Sequence, residues 1–244
     1  MICVGLGTSA IDLLQLCDHI NKMIPQLPIS QPPKMHDTAT AAHERVYRTL
    51  RGQIMHGEFR PGQSMTIRGI GKAFDVSMTP AREAVRRLVA DGGLTLSSSG
   101  RVSTPELSSE RIEELASIRA LIEPELGSRA LPRAHLALID RLQAINATIA
   151  ECAAKHDDVG YIRTNLEFHR TLYLRAQAPA MLALTETVWL QLGPTMRSLY
   201  ARLNRTEVPH NHRLIVAALR AGDEPSLRLA LRSDVTQGLR LLVV

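Results

Sequence analysis

Between residues 66 and 90 the chain carries two short apolar-periodic segments only four residues apart, and that spacing constrains the fold more than any other feature. Ile67, Ile70 and Phe74 recur at three- and four-residue intervals, the stripe of a helix that buries one side. Asp75-Val76-Ser77-Met78 follows, and then a second stripe of Ala84, Val85, Leu88 and Val89. Thr79-Pro80 marks the second start: the hydroxyl can cap orphan amides, and proline at the first helical position gives up no hydrogen bond. Ser77 is a second candidate cap. Asp91-Gly92-Gly93 stops the helix. Two short helices around a tight turn form a helix-turn-helix unit.

The flanks complete a small domain over residues 36–105. Val46, Leu50, Ile54 and Met55 give residues 40–56 a helical face, and Gly57 stands where a C-cap glycine belongs. Phe59-Arg60-Pro61-Gly62-Gln63 reads as a turn. Leu94-Thr95-Leu96 and Val102-Ser103-Thr104 are β-prone and lie either side of Ser97-Ser98-Ser99-Gly100-Arg101, so a short hairpin, or wing, is expected. Pro105 closes this region. Residues 106–244 read as helical throughout, with helices near 109–131, 133–155, 158–177, 180–203, 207–221 and 224–242. The fold class expected is mainly α: a winged helix-turn-helix with three helices and a small β-hairpin, then an all-α antiparallel bundle.

No apolar run approaches the ~18 to 20 residues of a membrane span, so no membrane partner is expected. Cys3, Cys17 and Cys152 are widely spaced and odd in number, which suggests neither a disulfide framework nor a cysteine zinc site and fits a cytoplasmic protein. Pro25, Pro28, Pro32 and Pro33 mark a linker, and residues 1–35 read as a disordered tail or an extension from an upstream start codon. A signal peptide is the rival for this stretch. It fails because no basic residue precedes the apolar segment and Asp12, Asp18 and His19 interrupt it.

Charge is unevenly distributed. The chain holds 29 Lys+Arg against 24 Asp+Glu, and residues 35–104 alone hold ten against six. Concentrating the excess in the small domain is what phosphate binding requires. Arg82 and Arg86 are four apart on one face of the second short helix, and Arg82 lies in the first turn, which enters the major groove in this docking mode. Its planar fork can hold guanine O6 and N7 together, whereas Thr79 and the helix-start amides suit a phosphate. Ser77 lies beside that start, Arg68 can reach backbone or groove, and Gly100-Arg101 supplies a wing tip. The plainer reading of Arg82, Arg86 and Arg87 is a solvated face paired with Glu83.

Leu50-Arg51-Gly52-Gln53-Ile54, Gly57, Pro61-Gly62 and the run from Val76 to Leu88 closely resemble the winged-helix domain of GntR-family bacterial transcription regulators. By that resemblance Arg68, Arg82 and Gly100 fall at DNA-contacting positions. Met78 departs from the pattern, since many relatives carry arginine there and a thioether cannot donate to a base. Further on, Arg119-Ala120-Leu121-Ile122-Glu123-Pro124-Glu125, Asn165-Leu166-Glu167-Phe168-His169-Arg170 and His212-Arg213-Leu214-Ile215 resemble the all-helical effector-binding FCD domain of the FadR-type subfamily.

Geometry draws attention to the same residues. Asn165 and His169 share a helix face at a spacing of four. His212 lies ten residues before Gly222 and Asp234 twelve after it, so a hairpin turning at that glycine brings them to nearly equal height. By the resemblance, Asn165, His169, His212 and Asp234 stand at positions that often hold one Asp and three His around a divalent metal. Here Asn replaces the usual Asp and Asp234 replaces a His. Such a set still suits zinc, nickel, manganese or iron, and no organic cofactor is implied. Single residues have plainer readings: a capped or surface histidine, a solvated Asp234, an Asn165 that only hydrogen-bonds. Arg119, by resemblance, would hold an effector carboxylate; the alternative is a salt bridge to Glu123.

The expected function is a DNA-binding transcription regulator, usually a repressor in such a family. It would bind a near-palindromic operator as a homodimer and respond to a small organic acid. Two rivals are a metal-dependent hydrolase and a DNA-binding dimer with no effector. Against the first stand the lack of an H-E-x-x-H motif, a nucleophile elbow or a glycine-rich phosphate loop.

Overall fold

The structure is a computed structural model that describes residues 36–98, 100–202 and 210–240. The tail expected over 1–35 lies outside the described residues, as do the expected helix ends at 203, 207–209 and 241–242.

The first helix, α1 (His36–Met55), buries Val46, Leu50 and Ile54 and ends at Gly57, whose φ of 71° only a glycine adopts without strain. The Gly57 amide bonds the Ile54 carbonyl and the Glu58 amide that of Gln53, so the helix closes with its last carbonyls satisfied. After a turn come β1 (Ser64–Met65), α2 (Ile67–Phe74) and α3 (Met78–Ala90). Thr66 caps α2 by accepting from the Gly69 amide at 3.0 Å. Asp75 ends it in the left-handed region, at φ 51°.

Helix α3 starts two residues earlier than its proline suggests. Ser77 is the capping residue, and its side chain makes no cap hydrogen bond; Thr79 and Pro80 lie within the first turn. Proline is tolerated there because the first four amides of a helix have no partner within it in any case. The wing forms as β2 (Thr95–Leu96) against β3 (Val102–Ser103), and β1 adds on the other side to give an antiparallel sheet in the order β1-β3-β2. Ser64-Met65 carries too short an apolar signal to announce this third strand.

Among the described residues six helices follow: α4 (Ser109–Ala130), α5 (Leu136–Ala154), α6 (Asp158–Tyr173), α7 (Pro179–Arg202), α8 (His210–Ala221) and α9 (Glu224–Arg240), with 3-10 turns at Leu131–Arg133 and Leu174–Ala176. Ser108, His135 and Asp157 accept from the amides of Arg111, Leu138 and Gly160, which fixes three starts. Gly222, at φ 66°, turns α8 into α9. The bundle core gathers Leu126, Leu142, Ile149, Phe168, Leu172, Ile215 and Leu231, each contributing ~1.5–3 kcal/mol by leaving water. Described residues from Thr38 onward pack as one unit. Leu190 of α7 is one reason, because it sits in the core of the winged helix with Leu50, Ile54 and Leu88.

Candidate functional site

Helix α3 buries Pro80, Ala81, Ala84, Val85 and Leu88, which leaves Thr79, Arg82 and Arg86 along the opposite, exposed side. Arg86 lies 3.4 Å from Glu83, an exposed pair of little energetic weight. Arg82 makes no ion pair or side-chain hydrogen bond among the described residues, and neither do exposed Arg68 on α2 or the Arg101 side chain beside the wing tip. Arg87 behaves differently: it lies 2.7 Å from Glu44 and stacks 3.6 Å above the Tyr47 ring, tying α3 to α1. Gly100 has φ 79° and no atom within 4 Å of where a Cβ would lie, so backbone conformation rather than crowding calls for glycine there. Ser77 and Thr79 are exposed at the helix start, where no side chain caps the first amides, and amides so placed attract anions. Met78 beside them is 42% exposed.

Inside the bundle, His169 of α6, His212 of α8 and Asp234 of α9 meet. The structure thus brings together three of the four residues singled out for a metal. Their donor atoms all lie within 4.8 Å of one another, with His169 Nε2 at 3.0 Å and His212 Nε2 at 3.7 Å from the two Asp234 oxygens. Both imidazoles are fully buried. Asn165 lies one turn before His169 on the same helix and is buried.

The tautomers follow from the far side of each ring. His212 Nδ1 lies 2.8 Å from Asn146 Oδ1, an acceptor, so Nδ1 carries the proton. Tyr173 donates its hydroxyl to Glu123 at 2.8 Å, which leaves its oxygen to accept from His169 Nδ1 at 3.2 Å. Each Nε2 therefore presents a lone pair toward the carboxylate, and neither finds a hydrogen bond of acceptable geometry. Two lone pairs facing an anion in a dry interior repel unless a cation lies among them. Burial pushes His212 down to about 4, with His169 adding to the fall and Asp234 opposing it. Burial would raise Asp234, but His212 and His169, in their protonated forms, and Arg119 outweigh it and hold the carboxyl at about 2. Two imidazoles and one carboxylate, each oriented by an outer hydrogen bond or charge, are a donor set that fits a divalent transition metal.

Behind the cluster lies a second buried arrangement. Glu123 is wholly buried and accepts from Arg119 Nε and Nη2, from Tyr173 and, at 3.1 Å, from Trp189 Nε1. Of the two readings of Arg119, the salt bridge to Glu123 is present; the guanidinium is 6% exposed and also feels the Asp234 charge. Asn146, Tyr173, Trp189 and Glu123 are not singled out by the sequence as supports for the histidines. Asn146 carries a signal all the same: a polar residue on a stripe of Leu142, Ile145 and Ile149 must be satisfied by something buried. Tyr173 is four residues after His169, another legible pair. Trp189 is buried, at 2% exposure, and its indole N–H ties it to Glu123.

No described helix is long and apolar enough to cross a membrane. A family model of the FCD domain matches residues 114–237, and one of the gntR family of bacterial regulatory proteins matches residues 42–102. The chain is 28% identical over 203 residues to the HTH-type transcriptional regulator McbR of Escherichia coli (strain K12), across 81% of this chain and 91% of McbR. The solved structure of E. coli McbR/YncC superposes with a TM-score of 0.76 at 25% identity, covering 82% of this chain and 96% of that one. A GntR regulator from Rhodococcus sp. RHA1 shares the fold, with a TM-score of 0.70 at 23% identity over 83% of this chain and 98% of its own. Winged helix, helical bundle and buried cluster thus coincide with two matched domains in one order, and the chain belongs to the FCD-containing branch of the GntR family, DNA-binding transcription regulators with an effector-binding helical domain.

Proposed function

We propose that the protein is a metal-assisted acid sensor that represses from a near-palindromic operator as a homodimer and is released by a small organic acid. The observation that carries this reading is the pair of buried Nε2 atoms turned on Asp234 without hydrogen bonds, while both Nδ1 atoms are engaged. A divalent cation held by His169, His212 and Asp234, with Asn165 one turn away, would supply an electrophilic anchor for a carboxylate. Asn146 and Tyr173 hold the two rings in the required tautomer, and Arg119 contributes positive charge beside Asp234 to draw an acid inward.

On the DNA side, Arg82 is assigned to a base edge, Arg68, Thr79, Ser77 and Arg86 to the groove wall and phosphates, and Gly100-Arg101 to the wing contact. An acid shifts operator occupancy only if it binds better to one placement of the two heads than to the other. A preference of ~1–3 kcal/mol corresponds to a roughly 5- to 150-fold change in operator affinity.

The test combines metal analysis of the purified chain with fluorescence anisotropy of a duplex spanning its own promoter, with and without carboxylic acids. Bound metal, together with acid-dependent release, is the expected result. Substrate turnover would instead favour the hydrolase. A chain that binds DNA but neither metal nor acid is a plain dimerising regulator.

A further inference from the structure

A cleft of about 560 Å³ opens on the seam between the winged helix and the bundle, and none of His169, His212 and Asp234 lines it. Four arginines line it: Arg141 of α5, Arg163 and Arg170 of α6, and Arg175 just after α6. This is a concentration of cation in a region that is otherwise almost balanced, since residues 105–244 hold seventeen Lys+Arg against sixteen Asp+Glu. Arg141, Arg163 and Arg170 each use one arm on an acid, at 3.1 Å to Glu167, 3.2 Å to Glu58 and 2.9 Å to Glu186. Arg175 is exposed and has no ion-pair partner among the described residues. Even with those acids counted, and Arg51 beside Glu186 included, cations outnumber anions. The rest of the lining is largely apolar, with Met55, Leu166 and Leu174 around Trp189.

We propose that this cleft is a second effector site, taking an organic carboxylate with a compact apolar body. The body would lie on the apolar lining by Trp189 and the carboxylate on the arginines, whose planar forks match it. Two features tie occupancy to DNA binding. Met55 and His56, from the end of α1, form part of the wall. The acids that hold Arg163 and Arg170 also bridge to the head, since Glu58 follows α1 and Glu186 is shared with Arg51 of α1. A carboxylate competing for those two guanidiniums loosens the ion pairs that set the head against the bundle. The inference does not depend on the metal reading, because no residue of the histidine cluster lines the cleft.

Trp189 is the only tryptophan in the chain and lines the cleft while bonding Glu123 behind it, so its emission reports occupancy and the exposed-arginine variants assign the signal to the cleft. The probe is cyclohexanecarboxylate, which is transparent where tryptophan is excited, titrated into the EDTA-treated full-length protein. Acetate, inorganic phosphate and cyclohexylmethanol serve as controls. Saturable change in Trp189 emission is expected with cyclohexanecarboxylate and not with the controls. The midpoint should move at least tenfold in Arg141→Ala/Arg175→Ala, whose side chains are exposed and touch nothing in the cluster, and should be unchanged in Arg220→Ala, an exposed arginine of the bundle outside the cleft. The single variant Arg175→Glu should reproduce the direction. Saturation should also change operator affinity at least about fivefold. An absent signal, an equal midpoint in Arg141→Ala/Arg175→Ala, or an equal loss in Arg220→Ala would each overturn the site. Binding of phosphate alone would overturn the ligand class, and unaltered operator affinity at saturation the regulatory role.

Discussion

Glu123 is the residue whose removal should cost the bundle most. It is wholly buried, and four donor atoms from Arg119, Tyr173 and Trp189 converge on its two oxygens. Glu123→Ala strands the Arg119 guanidinium, itself 6% exposed, with Asp234 as the remaining anion acting on it. Breaking a buried pair by deleting one partner costs ~3–5 kcal/mol. The Tyr173 hydroxyl and Trp189 N–H also lose their acceptor, at ~1–3 kcal/mol for each buried donor left unmade. Water entering the cavity recovers part of this, so the expected loss is about 4 kcal/mol or more. That is a large fraction of the ~5–15 kcal/mol holding a typical domain. Glu123→Gln removes the charge and keeps an acceptor oxygen for only one of Tyr173 and Trp189, which bond different carboxylate oxygens, and should lose about 3 kcal/mol. Combining Arg119→Met with Glu123→Gln should recover much of it, a coupling of ~1.5–3 kcal/mol, because both charges then leave together. Urea unfolding followed by circular dichroism at fixed protein concentration measures all three. If Glu123→Gln changes stability by less than ~1 kcal/mol, or the double variant is worse than the sum of the singles, the carboxylate is not the counterion it is taken to be.

Three further outcomes are expected. Arg82→Ala should weaken operator binding by ~1–3 kcal/mol and relax sequence choice at one position, whereas Arg101→Ala should weaken all duplexes alike and reduce the salt slope; anisotropy over a range of salt distinguishes them. In the metal-free protein, the folded-state value of His212 near 4 lies below its ordinary 6.5, so its contribution is intact above pH 6.5 and is lost as pH falls toward 4. The ~2.5-unit difference corresponds to about 3 kcal/mol; His212→Gln should flatten that window in a pH series of urea melts, while the Asp234 contribution disappears only at lower pH, between 3.8 and about 2. Gly193→Ala would place its Cβ 2.2 Å from the Ile54 carbonyl and 2.8 Å from that of Met55, backbone atoms that cannot swing aside, and should cost ~1–3 kcal/mol in calorimetry.

Periodicity and punctuation make most of the fold legible. Gly57, Gly92 and Gly222 end helices in the left-handed region as their positions suggest, and Pro132, Asp157 and Pro179 mark breaks between helices of the bundle. The start of helix α3 differs by two residues because a Thr-Pro pair reads locally as a cap and first position, while the αL turn at Asp75 and the extended backbone of Ser77 set the actual start. The third strand is illegible because two residues carry no period; only pairing to Val102 and Ser103 defines it. In the cluster, the ten- and twelve-residue offsets about Gly222 give the approach of His212 to Asp234, since an antiparallel hairpin converts nearly equal offsets into nearly equal height. Nothing comparable relates Asn146 to His212 or Glu123 to Trp189, which are 66 residues apart in each case and meet only through packing.

Helix α7 explains why events in the bundle should reach the DNA-binding head. Successive residues along it face different partners: Trp189 donates to Glu123 in the bundle, while Leu190 completes the core of the winged helix. Gly193 lies against the carbonyls ending α1, and Arg197 donates to the carbonyls of Gly57 and Glu58 at 3.0 and 2.8 Å. Pro194 stands in the middle of this seam, and a proline there removes the bond that residue 190 would otherwise receive along the helix. The weakest point of the ladder thus coincides with the contact between the two domains. A close-packed seam of backbone against backbone resists gradual deformation, so a displacement of Glu123 or Trp189 is expected to reach α1 through it. Coupling of this kind requires that both sites bias one element with two placements, and α7 is the element in contact with both.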